Sequence, residues 1–450
     1  MMALGKQKEI FTQARFTAAD LPATTRSQLL LLRATASADV GELTDALKYI
    51  NAARAIDPHS PGSWVAEVPV RIRLRQFKEA NEAVDRATAM APNAADTLYQ
   101  KGVVLHVAGN VSAAIASYDR AIKVDSDHLG ALLARAGLFV DLGRNADAAK
   151  DLDELRRLNP TEPRAAYLRA LLAERENKPT EAREALVEIT ELLDRFPMDY
   201  VRYRPQVLML NGLAHFGLNE PEKAKIYFEA FQNVQPDAPT AKMLAQIYLR
   251  SANYERAVEM LERYLKTQPN DGQAIALLGS ALMAKGQTAR AATLMQQALE
   301  TKDSPDIRKV LGLSLMRNGQ SGAAIKELET AFKNDQKQIQ AATALIPMYI
   351  RAGQPAKALA TTEKLVKLQP ANPAFLNLLG MVRANTGNMR DARTSFEQAV
   401  KLNASFVPAS LNLARMEIAS RSYDAATIRL ADIIKTDPKN VEAIFEMATI

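Results

Sequence analysis

Four histidines, His59, His106, His128 and His215, are the side chains of this 450-residue chain best suited to metal ligation or proton transfer. They lie in different stretches without an HExxH pair, and the absence of cysteine excludes thiolate ligands, thiolate nucleophiles, disulfides and iron–sulfur centres. His106, near the middle of a helical stretch, reads as an ordinary helix-surface histidine that could face a groove. Asp151, Asp153 and Glu154 could pair for acid–base chemistry, but Lys150, Arg156 and Arg157 interleave with them at helical spacing, the pattern of a solvated face. Neither a GxxxxGK[ST] phosphate loop nor a GxSxG elbow occurs. The expectation is no catalytic residue, no cofactor, no metal and hence no enzyme.

One segment keeps binding chemistry. In DRFPMDYVRYRP, Phe196, Tyr200 and Tyr203 interleave with Arg195, Arg202 and Arg204. Such residues are enriched in binding hot spots and stack on sugars, bases or peptide planes. The competing account is structural: a lengthened helix followed by a hinge over residues 195–204, with the rings packed inward. The structural account takes precedence, and the segment stands as a candidate insertion surface.

Composition narrows the setting. With 48% hydrophobic and 24% charged residues the chain is not disordered, and 57 basic against 51 acidic residues leave a net charge of +6 spread without a basic block. A nucleic-acid partner is not expected. No apolar run approaches the roughly 18 residues of a membrane span. Aromatics are 6%, and alanine and leucine recur at helical spacing, so the fold class is all-α.

The elements that position these residues are copies of one module. An alanine recurs at Ala46, Ala80, Ala114, Ala148, Ala182, Ala224, Ala257, Ala291, Ala324, Ala358, Ala392 and Ala426, with eight intervals of 34 residues, two of 33 and one of 42. Twelve residues earlier a small side chain stands in ten repeats of twelve, Val68 and Ile346 being the exceptions. Glycine inside a helix costs about 1 kcal/mol relative to alanine, so its recurrence at Gly102, Gly212, Gly279, Gly312 and Gly380 implies close helix contact, with the two small positions facing each other. Five residues before the anchor, Gly41, Gly109, Gly143, Gly286, Gly319, Gly353 and Gly387 mark a turn between paired helices. Twelve residues after it, Pro58, Pro92, Pro160, Pro236, Pro269, Pro370 and Pro438 stop the second helix.

This helix–turn–helix pattern, with Trp64 at the fourth position of a first helix, resembles the tetratricopeptide repeat over essentially the whole chain, in units such as LYQKGVVLHVAGNVSAAIASYDRAIKVDS. Arg75 and Arg421 depart from the turn glycine, and Ser126, Asp194, Asp303, Gln336 and Ala404 from the closing proline. The resemblance implies a right-handed superhelical α-solenoid with first helices lining a concave face. Its organisation would be a partial repeat and linker over 1–26, repeats 1–5 over 27–194, the insertion or hinge over 195–204, repeats 6–12 over 205–438, and a truncated repeat over 439–450. Both ends read as cut from a longer chain. Two further stretches, LNLLGMVRANTGNMRDARTSFEQAVKLNASFVPASLNLARMEIASRSYDAATIRLADIIKTDPKNVEAIFEMA and LMLNGLAHFGLNEPEKAKIYFEAFQNVQPDAPTAKMLAQIYLRSANYERAVEMLERYL, resemble the TPR lipoproteins of the PEP-CTERM/exosortase system, PrsT. That resemblance implies the envelope of an exopolysaccharide-making bacterium and a lipid anchor on the full-length chain; otherwise the location is cytoplasmic.

By the same resemblance, positions five, nine, twelve and thirteen of each first helix face the groove. The candidates are Val103, Leu171, Leu213, Leu313 and Met381 at nine, Phe216, Met283 and Met316 at twelve, and Arg73, Arg175, Arg250, Arg317 and Arg351 at thirteen. Such a lining, apolar and edged with guanidinium groups, suits a protein or peptide ligand carrying acidic side chains. Core packing against the neighbouring unit takes precedence as the account of the apolar set. Lys242 precedes Gln246 and Lys309 precedes Leu313, so the lysine–asparagine carboxylate clamp of some family members is not expected. The chain reads as a scaffold for protein partners; the alternatives are a cytoplasmic adaptor or the substrate-recognition part of a larger enzyme such as a glycosyltransferase.

Overall fold

The structure, a computed structural model, describes residues 21–202 and 204–450. Most of the partial repeat expected over residues 1–26 therefore lies outside the described residues. Those residues hold 26 helices and no strand. The first five hairpins are α1 (Ala23–Asp39) and α2 (Leu43–Ile56), α3 (Gly62–Arg73) and α4 (Phe77–Met90), α5 (Ala95–Val107) and α6 (Val111–Val124), α7 (Leu129–Asp141) and α8 (Asn145–Leu158), and α9 (Pro163–Arg175) and α10 (Pro179–Leu193). A single-turn helix, α11 (Met198–Val201), precedes α12 (Pro205–Gly217), α13 (Pro221–Val234), α14 (Thr240–Arg250), α15 (Tyr254–Thr267), α16 (Gly272–Ala284) and α17 (Thr288–Thr301). The last helices are α18 (Pro305–Arg317), α19 (Ser321–Asn334), α20 (Ile339–Arg351), α21 (Pro355–Leu368), α22 (Pro373–Asn385), α23 (Met389–Leu402), α24 (Val407–Ala419), α25 (Tyr423–Thr436) and α26 (Val441–Ala448). Helices pack on their sequence neighbours, and first helices also touch the next first helix, as α3 does α5 and α16 does α18. The fold is an all-α solenoid of helical hairpins. Two compact units, residues 1–247 and 248–450, divide inside α14. The insertion at 195–204 thus lies within the first unit and is not the division between them.

The turn between paired helices is set by backbone conformation more than by residue type. All seven turn glycines have positive φ, and so do Arg75, Asn177, Asn219, Ala252 and Arg421 at the same phase of the other five repeats. The next N–H then reaches back to a carbonyl of the preceding helix, as Asn110 does to Leu105 and Gln287 to Leu282, satisfying an otherwise orphan acceptor. Each closing proline lies two residues beyond its helix. Four repeats without proline, those of α6, α17, α19 and α23, end their second helices at the same phase, so packing of the next hairpin fixes the boundary.

All twelve anchor alanines are buried. Their partners differ from expectation: the small position does not simply meet the anchor but takes the large side chain one turn beyond it. A Cβ on Gly102 would lie 2.4 Å from the Tyr118 ring, on Gly212 2.6 Å from Phe228, and on Gly380 2.4 Å from Phe396. Gly279 and Gly312 stand likewise over Met295 and Leu328. Where alanine holds that position, Ala34, Ala136, Ala170 and Ala414 share cores with Ile50, Leu152, Leu186 and Leu430. Val68 shares a core with the smaller Val84, and Thr362 occupies the register of Ile346. Volume is conserved across the pair, which is what a close-packed interior requires.

Candidate partner-binding surface

The expected apolar lining is mostly packing. In the first unit Val103 lies against the core around Leu98 and Tyr118, and Leu171 against that around Leu152. Leu213 is half-buried, and the Phe216 ring sits 6.2 Å from Phe228. In the second unit Met283 and Leu313 are only 8% exposed and so are not open groove positions, Met316 is half-buried, and Met381 alone stands out at 49%. Helices this close bury position twelve against the neighbouring hairpin, which is why an apolar side chain recurs there.

Two of the arginines at position thirteen have a second task. Arg73 Nη1 donates to the Ala38 carbonyl at 2.5 Å, and Arg317 Nη1 to the Met283 carbonyl at 3.0 Å. Each thereby closes the last turn of the preceding first helix, where a cation also complements the helix dipole. Arg250 and Arg351 are exposed.

Two of the four histidines, His128 and His215, hold structure together. His106 stands exposed in the last turn of α5 rather than at its middle, and His59 is exposed between α2 and α3. His128 caps α7: its Nδ1 accepts the Ala131 N–H at 3.0 Å, while Nε2 meets Asp96 at 3.1 Å. The Asp96 hydrogen bond draws the imidazole pKa upward, although the Ala131 N–H requires Nδ1 unprotonated. His215 is buried, with Nε2 3.1 Å from Asp194, Nδ1 2.8 Å from Glu220 and its ring stacked on Tyr227. Burial pushes the Asp194 carboxyl up, but hydrogen bonds from Asn211, His215 and Tyr227 bring it below its ordinary value. Burial, then the Asp194 charge, raises the Tyr227 phenol to about 12. Among the described residues no cluster of His, Asp and Glu is arranged to hold a metal ion.

The insertion packs Val201 and Tyr200 inward, leaves Phe196, Arg195 and Arg202 exposed, and half-buries Arg204. Val201 is buried with Leu208 and Phe231, and Tyr200 packs beside them. Phe196 and Tyr200 stack at 4.9 Å, the Arg204 guanidinium lies 3.8 Å from the Tyr200 ring centroid, and Arg204 Nη1 donates to the Tyr200 carbonyl at 2.8 Å. Arg202 pairs with Asp199 on the exposed side. Tyr203 lies outside the described residues.

Beside this stack opens a cavity of about 370 Å³ lined by Asp39, Glu162, Pro163, Arg164, Leu193, Arg204, Gln206, Val207 and Leu210. It joins the end of α1 to the starts of α9 and α12, so the first unit curves far enough for hairpins 1, 5 and 6 to share one surface. Burial raises the Asp39 carboxyl above its ordinary value, against the pull of Arg204 and Arg73. Arg164 is paired with Glu162 at 2.7 Å. Asp39, Glu162, Arg164 and Gln206 were not singled out from sequence; Glu162 caps α9, Arg164 and Gln206 lie in the first turns of α9 and α12, and only the curvature of the stack brings Asp39 among them.

The same repeats are found by comparison with known proteins. Two family models for the tetratricopeptide repeat match the chain, one over residues 65–128, 133–197, 242–306 and 377–440 and the other over 282–346. The chain belongs to the tetratricopeptide-repeat family. A protein CTR9 homolog of Arabidopsis thaliana is 21% identical over 329 residues, 64% of this chain, which spans 30% of that relative's length. Among solved structures, the Cut9 and Hcn1 hetero-tetramer of the APC/C gives a TM-score of 0.43 at 14% identity, covering 98% of this chain and 94% of the other. The human IFIT1 dimer with m7Gppp-AAAA gives 0.47 at 17% identity, covering 88% and 94%. The tetratricopeptide repeat is a protein-interaction fold, and no helix among the described residues is long and apolar enough to cross a membrane.

Proposed function

We propose that this chain is a non-catalytic scaffold that holds a protein partner on the first-helix face of its first unit, within a bacterial cell-envelope assembly for exopolysaccharide production or PEP-CTERM protein sorting. The observation that carries the binding reading is the cavity shared by α1, α9 and α12, where the one irregular interval of the array sets an oriented guanidinium beside an apolar wall of Leu193, Val207 and Leu210. Regular hairpins also leave clefts, one of about 430 Å³ among α8, α9 and α10, but the cavity at the insertion joins hairpins 1, 5 and 6. The envelope context is supported by the resemblance of the α12–α15 and α22–α26 segments to PrsT lipoproteins, and it carries with it a lipid anchor on a longer chain.

Crosslinking with mass spectrometry in the native host tests both levels. The expected result is a protein partner crosslinked to hairpins 1, 5 and 6 and recovered with the envelope fraction. A partner crosslinked there but recovered from the cytoplasm would overturn the envelope context alone. Crosslinks that avoid these hairpins would overturn the binding surface.

A further inference from the structure

We propose that a second copy of this chain docks along the outer face of α25, the two helices antiparallel about a two-fold axis, with Ile428 of each copy seated over Ala431 of the other. The inference concerns the second unit and stands independently of the partner surface in the first.

Packing turns Ala426, Leu430 and Ile433 of α25 into the core, which leaves the opposite stripe, Asp424, Ile428, Ala431 and Lys435, facing solvent. Ile428 is 70% exposed and stands on the rim of an open cleft of about 700 Å³ between α23 and α25. This is not the ordinary outer face of a second helix. Two and five residues after the anchor alanine, each of the other eleven second helices carries at least one polar residue, as α19 does with Lys326 and Glu329; α25 alone is apolar at both. An exposed isoleucine beside an alanine puts a knob and a shallow hole on one surface.

The charges obey the same symmetry. Ile428 and Ala431 lie on either side of the midpoint between Arg429 and Leu430, and Asp424 and Lys435 lie on either side of that same point. A two-fold axis there that brings Ile428 over Ala431 therefore also brings Asp424 of each copy against Lys435 of the other, at both ends of the contact. Neither of these charges has an ion-pair partner among the described residues, whereas the neighbouring Arg429 is held by Glu417 at 2.8 Å. In α15 the outer positions are likewise filled by Glu255 and Lys266, but Glu259 would meet Glu262 of another copy, and like charges repel. A second copy is the partner that fits, because α25 itself supplies both members of every pair. One helix face about 21 Å long falls short of the roughly 800 Å² per partner of a standard interface, so association is weak and depends on concentration.

Sedimentation equilibrium of the full chain at low salt, from about 1 to 500 μM, spans the range of such a complex. The average mass should climb toward that of a dimer, and Ile428→Glu, which sets a carboxylate over Ala431, should weaken association by about ten-fold or more. Charge exchange reads the register. Asp424→Lys and Lys435→Asp should each weaken self-association by about ten-fold, since each creates two like-charged pairs. Mixed in equal amounts, the two variants should associate as strongly as the unaltered chain, because every pair is then of opposite sign. Asp424 and Lys435 also complement the dipole of their own helix, but loss of that role is the same alone or mixed, so the rescue separates the two. A chain that stays monomeric throughout the range would overturn the inference, as would association unchanged by Ile428→Glu or a mixture that associates no better than its components. None of these outcomes bears on the partner surface of the first unit.

Discussion

Gly102→Ala puts the volume rule of the hairpins to a quantitative test. The added methyl would sit 2.4 Å from Cε1, 2.6 Å from Cδ1 and 3.0 Å from Cζ of Tyr118, a ring only 1% exposed and packed with Leu98, Ala114, Ala121 and Ala131. With no free space to move into, the overlap must push α5 from α6, at a cost of about 1–3 kcal/mol. Replacing a helix-interior glycine by alanine returns about 1 kcal/mol, so the net expectation is destabilisation by about 1 kcal/mol. Gly137→Ala in α7 supplies the reference, because its Cβ would meet nothing nearer than Leu168 Cδ1 at 4.0 Å; it should stabilise by about 1 kcal/mol. Tyr118→Leu alone leaves a void, but Gly102→Ala with Tyr118→Leu recreates the pairing of Ala136 with Leu152, and the double variant should be more stable than the two single effects predict by about 2 kcal/mol. Urea denaturation gives the global change. Hydrogen exchange on α5 and α6 amides localises it, which matters in a repeat array where unfolding need not be two-state. A Gly102→Ala variant stabilised as much as Gly137→Ala, or a double variant that is simply additive, would refute the rule.

Other perturbations have equally definite outcomes. Ala252, at φ 57°, holds a left-handed conformation that disfavours a Cβ, so Ala252→Gly should raise the denaturation midpoint by an amount equivalent to about 1 kcal/mol; no rise would mean that the turn carries no strain. His128→Ala should cost about 1 kcal/mol through loss of the α7 cap, and His128→Asn should recover most of it, because asparagine also accepts from the second or third N–H of a helix; equal melting temperatures for all three proteins would dismiss the cap. Acid should weaken the α10–α12–α13 junction. Asp194 and Glu220 both titrate below their ordinary values in the fold, so their stabilisation is complete above the unfolded carboxylate range near about 4 and is lost as pH falls through their folded pKa values; Asp194→Asn should flatten the acid limb of melting temperature against pH.

What the residues disclosed in advance was the register. An alanine every 34 residues located twelve hairpins, since a fully buried contact between two close helices admits little else. Glycine marked seven turns, but Asn177, Asn219 and Ala252 passed unnoticed, because the left-handed conformation is imposed by the hairpin and residue type only modulates its cost. The partner of each small residue was seen only in part for a related reason: helical side chains lean toward the N-terminus, so Tyr118, one turn past Ala114, is the group that covers Gly102, although Gly312 also meets the Ala324 carbonyl. Arg73 and Arg317 look like ligands when position alone is considered, and only the carbonyls of Ala38 and Met283, 35 and 34 residues earlier, reveal them as braces between repeats.

The cavity was invisible for a deeper reason. Each hairpin is specified by its neighbours, and a regular array buries its apolar faces by local contacts alone. Asp39 and Arg204 come to one cavity through the summed rotation of the hairpins between them, a quantity that no single repeat encodes. The same nearest-neighbour logic explains why the departure in period can be tolerated: α11 replaces one inter-hairpin turn, seats Val201 on Leu208 and Phe231, and leaves the register of every other interface unchanged. An insertion at such a junction perturbs one interface while re-aiming a side chain across several repeats. Arg204 is placed by the array and also braces the insertion, through its hydrogen bond to the Tyr200 carbonyl and its stack on that ring.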